Sequence, residues 1–204
     1  MKKSLFLFAC LLISISCFSQ ARFNAGIIAG MNTTQVDGDR AEGFNKVGLN
    51  ASAFVRANLN GPISITLGIG YSGKGSRRPS DPDNNDFNTW GYSFRYVDIP
   101  VVAEYRHNDL VFQAGLFGAV LLNGEQEFNE NTFSIVNPEM RDYDIGAIAG
   151  IGYFINDKLF AQARFQNSLI EIRPSPDSAG QTTIYNGGMR NVVLQFSLGY
   201  QFGE

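Results

Sequence analysis

Hydrophobic and polar residues alternate along most of this chain, and a twelve-residue run of that kind closes it. From Asn191 to Phe202 the sequence reads NVVLQFSLGYQF. Val192, Leu194, Phe196, Leu198, Tyr200 and Phe202 fall on one side; Asn191, Val193, Gln195, Ser197, Gly199 and Gln201 fall on the other. Successive side chains of a strand point to opposite faces, so this run predicts a strand with one apolar and one mostly polar face. Seven earlier segments share the period: Arg22–Thr34, Val47–Leu59, Pro62–Ser72, Trp90–Arg106, Leu110–Leu122, Tyr143–Phe154 and Lys158–Asn167. Asn60-Gly61, a pair tolerant of positive φ, predicts a tight hairpin. His107-Asn108-Asp109 and Asn156-Asp157 predict two further short turns. Four polar stretches, Gln35–Lys46, Lys74–Thr89, Asn123–Asp142 and Ser168–Met189, predict long loops.

Eight strands therefore alternate with long and short connections. Transmembrane barrels have an even strand number, short periplasmic turns and long outer loops. The predicted fold is all-β: an eight-stranded antiparallel up-and-down transmembrane β-barrel with both termini periplasmic. Pairing of the first strand with the last leaves no edge open to lipid. The fourth strand changes phase, with Phe94 and Tyr96 even but Ile99, Val101, Ala103 and Tyr105 odd. Arginine on the lipid face costs ~2–4 kcal/mol at the midplane and almost nothing at the interface. The expectation is an odd-outward register from Ile99 to Tyr105, Arg95 near the outer rim, and a bulge near Pro100 absorbing the slip.

The first residues, MKKSLFLFACLLISISCFSQ, change where the domain begins. Lys2 and Lys3 precede a short apolar core from Leu5 to Ile15, and Cys17-Phe18-Ser19 suits cleavage before Gln20. Residues 1–19 read as a secretory signal peptide and 20–204 as the barrel domain. A rival processing makes Cys17 a lipidated cysteine, although Ser14 stands where a lipobox has a branched apolar residue. Cleavage removes Cys10 and Cys17, so the exported domain has no disulfide framework. It also takes the formal charge from −3 to −5 by removing Lys2 and Lys3, which leaves no basic excess for nucleic acid. Glycine (22) and phenylalanine (17) are abundant, as an aromatic-girdled barrel requires.

Candidate chemistry is sparse. His107 is the single histidine and falls in a short turn, so neither a zinc site of the usual kind nor a Ser-His-Asp arrangement is expected. Asp81, Asp83 and Asp86 lack the glycine and terminal glutamate of a calcium loop and read as a solvated acidic loop. No enzyme activity and no cofactor are expected. The lumen is more informative. Arg56, Asp98, Glu104, Gln113, Arg164, Gln166 and Gln195 project inward, with Phe54, Phe117, Phe154 and Phe160 as bulk. Arg56, Asp98, Glu104 and Arg164 are expected to form a polar network inside a barrel narrow enough to be filled by side chains.

The opening FNAGIIAGMN (Phe23 to Asn32), the YVDIP segment (Tyr96 to Pro100) and the aromatic last strand give the chain a family resemblance. It resembles the small outer-membrane barrels of Bacteroidetes called PorT-like or "porin family", and the membrane domain of OmpA-type proteins. The resemblance implies an eight-stranded integral barrel with no settled biochemical activity; the founding member is associated with protein secretion. It also implies that a terminal strand ending in Tyr200 and Phe202 is read by the barrel assembly machinery. The expected role is structural or interactive, with lipid and the assembly machinery as partners and the loop partner unspecified. The alternatives are a narrow pore or an export component, and a soluble lipocalin-like barrel. A lipocalin needs an apolar interior and a polar exterior, the reverse of this pattern.

Overall fold

The computed structural model describes residues 22–202, apart from 40, 42, 60, 130, 136–139 and 174–187. The expected signal peptide, the middle of the last loop and the final two residues lie outside that set. Nine strands follow in order: β1 (Arg22–Asp37), β2 (Lys46–Asn58), β3 (Ile63–Arg78), β4 (Trp90–His107), β5 (Leu110–Phe128), β6 (Asn131–Ser134), β7 (Tyr143–Phe154), β8 (Leu159–Ser168) and β9 (Arg190–Phe202). Eight of them close into an antiparallel ring, β1-β2-β3-β4-β5-β7-β8-β9, in which β9 returns to pair with β1. β6 is a four-residue addition paired to the top of β5.

Stagger decides which side chains share the lumen. Ala25 pairs with Val55, and the path continues through Leu67, Val101, Leu116, Ala147, Asn167 and Val192 back to Gln35, ten residues along β1. Strand tilt and stagger are linked in closed barrels, and an even offset returns each inward residue to an inward position. Every strand therefore keeps one face to the lumen. Ile27, Leu67, Leu116 and Leu198 lie on the outer surface, each more than half exposed, while Asn32, Arg56, Glu104, Gln113 and Arg164 are buried inside. This polarity is the inverse of a water-soluble barrel's.

Phenylalanine fits the interior because glycine makes room for it. Phe54 lies across from Gly26, Phe117 from Gly146 and Phe160 from Gly199. A Cβ on any of these glycines would overlap the facing ring. Phe54 and Phe160 then meet edge to face, with ring centres 5.8 Å apart.

Four expectations about the strands change. β4 has no phase slip: Tyr92, Phe94, Tyr96, Asp98, Val102 and Glu104 all point inward and Arg95 to Tyr105 alternate outward. Phe94 and Tyr96 thus belong to the core, not the lipid face. Pro100 interrupts the β3–β4 ladder opposite Gly68 and Ile69, yet the register resumes unchanged, because a missing N–H removes a bond without inserting a residue. The bulge lies instead between the Arg95 and Tyr96 pairings, with Leu122 of β5 as the extra residue. Secondly, β3 runs on through Lys74 to Arg78, within the expected loop. Thirdly, β5 runs to Phe128 and turns back as β6, within the expected third loop. Fourthly, Val192 is on the outward phase of β9 but buried and Leu194 is only partly exposed, so the exposed row of that strand begins lower, at Phe196.

Candidate functional site

Two charged clusters occupy the lumen. Nearer the short turns, Arg56 of β2 donates from Nε to Glu104 of β4 at 2.7 Å, and both side chains are almost fully buried. Arg164 of β8 approaches the other Glu104 oxygen at 4.0 Å and donates to Gln113 Oε1 at 2.8 Å. Gln113 in turn donates to Glu104 at 3.0 Å. The Arg56 guanidinium is ringed by Phe54, Phe154 and Phe160, each centred 5.2–5.5 Å away. Cation–π attraction strengthens when both partners are desolvated, so the aromatic cage offsets part of the cost of burying this charge.

Nearer the long loops, Lys74 of β3 lies 3.1 Å from Asp98 of β4 and 4.0 Å from Asp144 of β7. Its ammonium also sits over the rings of Phe117 and Tyr96. The Lys74–Asp98 approach is ionic rather than a well-aligned hydrogen bond. Asp144 accepts from Ser168 at 2.8 Å and from Asn191 at 3.0 Å. Of the four residues expected to form one network, the structure joins Arg56, Glu104 and Arg164 and places Asp98 with Lys74 and Asp144. Lys74 falls in the stretch whose composition predicts a loop, yet Gly73 and Gly75 continue the outward phase of β3 and leave Lys74 and Ser76 inward and buried.

Amides and hydroxyls fill the space between the clusters. Asn32 bonds to Ser72 and to the Gly73 carbonyl, Asn50 bonds to Asn32, Ser197 to Asn50, and Gln166 to Gln195. The void bordered by Asp98, Arg164, Gln166 and Gln195 is only about 20 Å³. That is room for about one water. Above the upper cluster Tyr92 and Phe94 stack along β4, Phe94 meets Tyr96 edge to face, and Ile135, Met140, Ile172 and Met189 share their buried cluster. The cap is tied by Arg141 N–H to the Ile172 carbonyl (2.7 Å) and Ile172 N–H to the Met189 carbonyl (2.8 Å).

A closed eight-strand ring with an apolar outside and a charged, filled inside is the geometry of a membrane barrel. Residues 18–173 match the family described as Outer membrane protein beta-barrel domain. The chain belongs to that family. No curated protein matches this outer-membrane barrel significantly. Among solved structures it is similar to Ail, the attachment invasion locus protein of Yersinia pestis, in complex with the heparin analogue sucrose octasulfate. That pair shares 12% identity over 89% of this chain and 99% of Ail, with a TM-score of 0.52. Neisserial surface protein A gives 10% identity over 90% of this chain and 100% of its own, also at 0.52. Such likeness speaks to the fold.

In this outer-membrane barrel Tyr200 and Phe202 stand on the outward face of β9, with rings 5.4 Å apart, edge to face. Tyr200 lies between Ile27 of β1 and Leu159 of β8. His107 ends β4, exposed, beside the short turn. Asp86 of the acidic loop is engaged by Arg78 at 2.8 Å. Arg95 faces outward and pairs with Glu125 at 2.8 Å near the loop end.

Proposed function

We propose that this outer-membrane barrel is a non-conducting, non-enzymatic scaffold that displays its long-loop end for interaction. The single observation that supports this most is the 20 Å³ void between the two charged clusters: a continuous ion path needs far more room than one water. The packed cap of Ile135, Met140, Ile172 and Met189 adds a second closure at the loop end. On the same reading residues 1–19 are the export signal, both termini are periplasmic and the loops face outward. Tyr200 and Phe202 form the signal read by the assembly machinery. The narrower PorT-like affiliation belongs to this proposal as well.

The test has two stages. Outer membranes are run on gels with and without boiling, where a closed barrel migrates differently unheated. The purified barrel is then inserted into planar bilayers. No stepwise conductance is expected; discrete, reproducible openings would replace the scaffold with the narrow-pore reading.

A further inference from the structure

The end of the barrel that carries the short turns is open, unlike the capped loop end. A recess of about 630 Å³ descends from the rim to the Arg56–Glu104 pair. That volume lies in the ~300–1,000 Å³ range of small-molecule sites. Its lining carries three guanidiniums, Arg22, Arg56 and Arg106, against two carboxylates, Glu104 and Asp157.

Glu104 is already committed twice over, at 2.7 Å to Arg56 and 4.0 Å to Arg164. Two buried arginines therefore share one carboxylate, and a positive charge is left over at the floor of the recess. Arg106 stacks on the Phe154 ring at 4.2 Å, and the same ring lies 5.5 Å from the Arg56 guanidinium. Two like charges thus converge on one ring. Arg106 spends its Nε on the Asn108 carbonyl at 2.8 Å. Among the described residues, neither Arg22 nor Arg106 makes an ion pair. The excess charge buried at Arg56 and Arg164 is costly unless a counter-charge reaches it. Arg22 and Arg106 stand exposed at the rim above that charge, and their guanidinium forks match the oxygens of phosphate. A dianion answers the two unpaired arginines better than a chloride does.

We propose that this recess binds a small, water-borne molecule bearing a phosphate group, held by Arg22 and Arg106 and drawn inward by Arg56. The site lies inside the ring of strands, so its ligand arrives from the aqueous side and not from the bilayer. The inference stands whether or not the lumen conducts, because the recess ends at the Arg56–Glu104 pair, below the filled middle.

The test titrates inorganic phosphate into the barrel in a maltoside detergent by calorimetry, at constant ionic strength with chloride as the replaced anion. Saturable binding is expected, weakened about tenfold or more in Arg22→Gln and Arg106→Gln. Arg95→Gln, at the opposite end, should bind as the parent does. Glu104→Gln should bind phosphate more tightly, because it leaves two arginines without their carboxylate. All variants are first checked for the heat-dependent gel shift of a folded barrel; Arg22 and Arg106 are rim residues whose substitution leaves the core intact. Absence of saturable binding, or equal affinity in Arg22→Gln and Arg106→Gln, would overturn the proposal. Nanodiscs separate the source: if phosphatidylglycerol blocks phosphate binding where phosphatidylcholine does not, the headgroup is the ligand and the water-borne assignment fails.

Discussion

Glu104 is the residue on which the lower lumen turns. Among the described residues it is the one carboxylate within 4.0 Å of both Arg56 and Arg164, and Gln113 and Ser64 also direct donors at it. Breaking a buried pair by removing one partner costs ~3–5 kcal/mol, since the remaining charge keeps its desolvation penalty. Glu104→Ala is expected to lose that much in urea unfolding from lipid vesicles. Arg95→Ala, which breaks a half-exposed pair with Glu125, should stay within ~1 kcal/mol. Equal losses would mean that the lumen network adds nothing a surface pair does not. Three members of this cluster could be named beforehand because they sit at inward positions of cleanly alternating strands. Lys74 could not be named so readily. It lies in Gly-Lys-Gly-Ser-Arg-Arg, where charge density resembles a loop, and only continuation of the β3 phase shows that it points inward. Once Lys74 is inward, Asp98 and Asp144 acquire their partner.

Strands were legible to the extent that their outward face is apolar. The ends at the short turns agree to within a residue or so, since alternation and turn residues change together there. The opposite ends of β3 and β5 continue six residues past the expected limits. Beyond the apolar band both faces of a strand meet water or polar neighbours, so the period of two disappears while the ladder persists. The bulge lies at Leu122 and not near Pro100 for a related reason. Proline marks a lost hydrogen bond, whereas a bulge marks an added residue, and here the two fall at different places on β4 and β5. β9 shows what a strand's two faces do separately. Phe202 is half-exposed on the outer face, whereas Val193 is buried on the inner one. If the outer aromatic pair is the assembly signal, Phe202→Ser should lower outer-membrane levels more than Val193→Ser. Immunoblots of fractionated cells decide this, and equal levels for the two would remove the signal from that position.

At the scale of the whole barrel, the outward rows must match the thickness of a bilayer. Along β5 the row from Leu110 to Leu122 is outward at both ends, with Leu116 at its centre. At ~3.4 Å per residue and a tilt of roughly 40°, such a row spans about 30 Å along the membrane normal, the thickness of a hydrocarbon core. The ten-residue stagger requires that tilt, so closure of the ring and the height of the apolar band are one constraint. An arginine scan reads the band directly. Leu116→Arg is expected to cost ~2–4 kcal/mol in folding from urea into vesicles. Leu110→Arg and Leu122→Arg should cost about 0–1, because a side chain near an interface can reach water. The cost should peak at Leu116 and fall on both sides. A flat profile would show that lipid does not cover this face, and a maximum at Leu110 or Leu122 would place the barrel at a different depth.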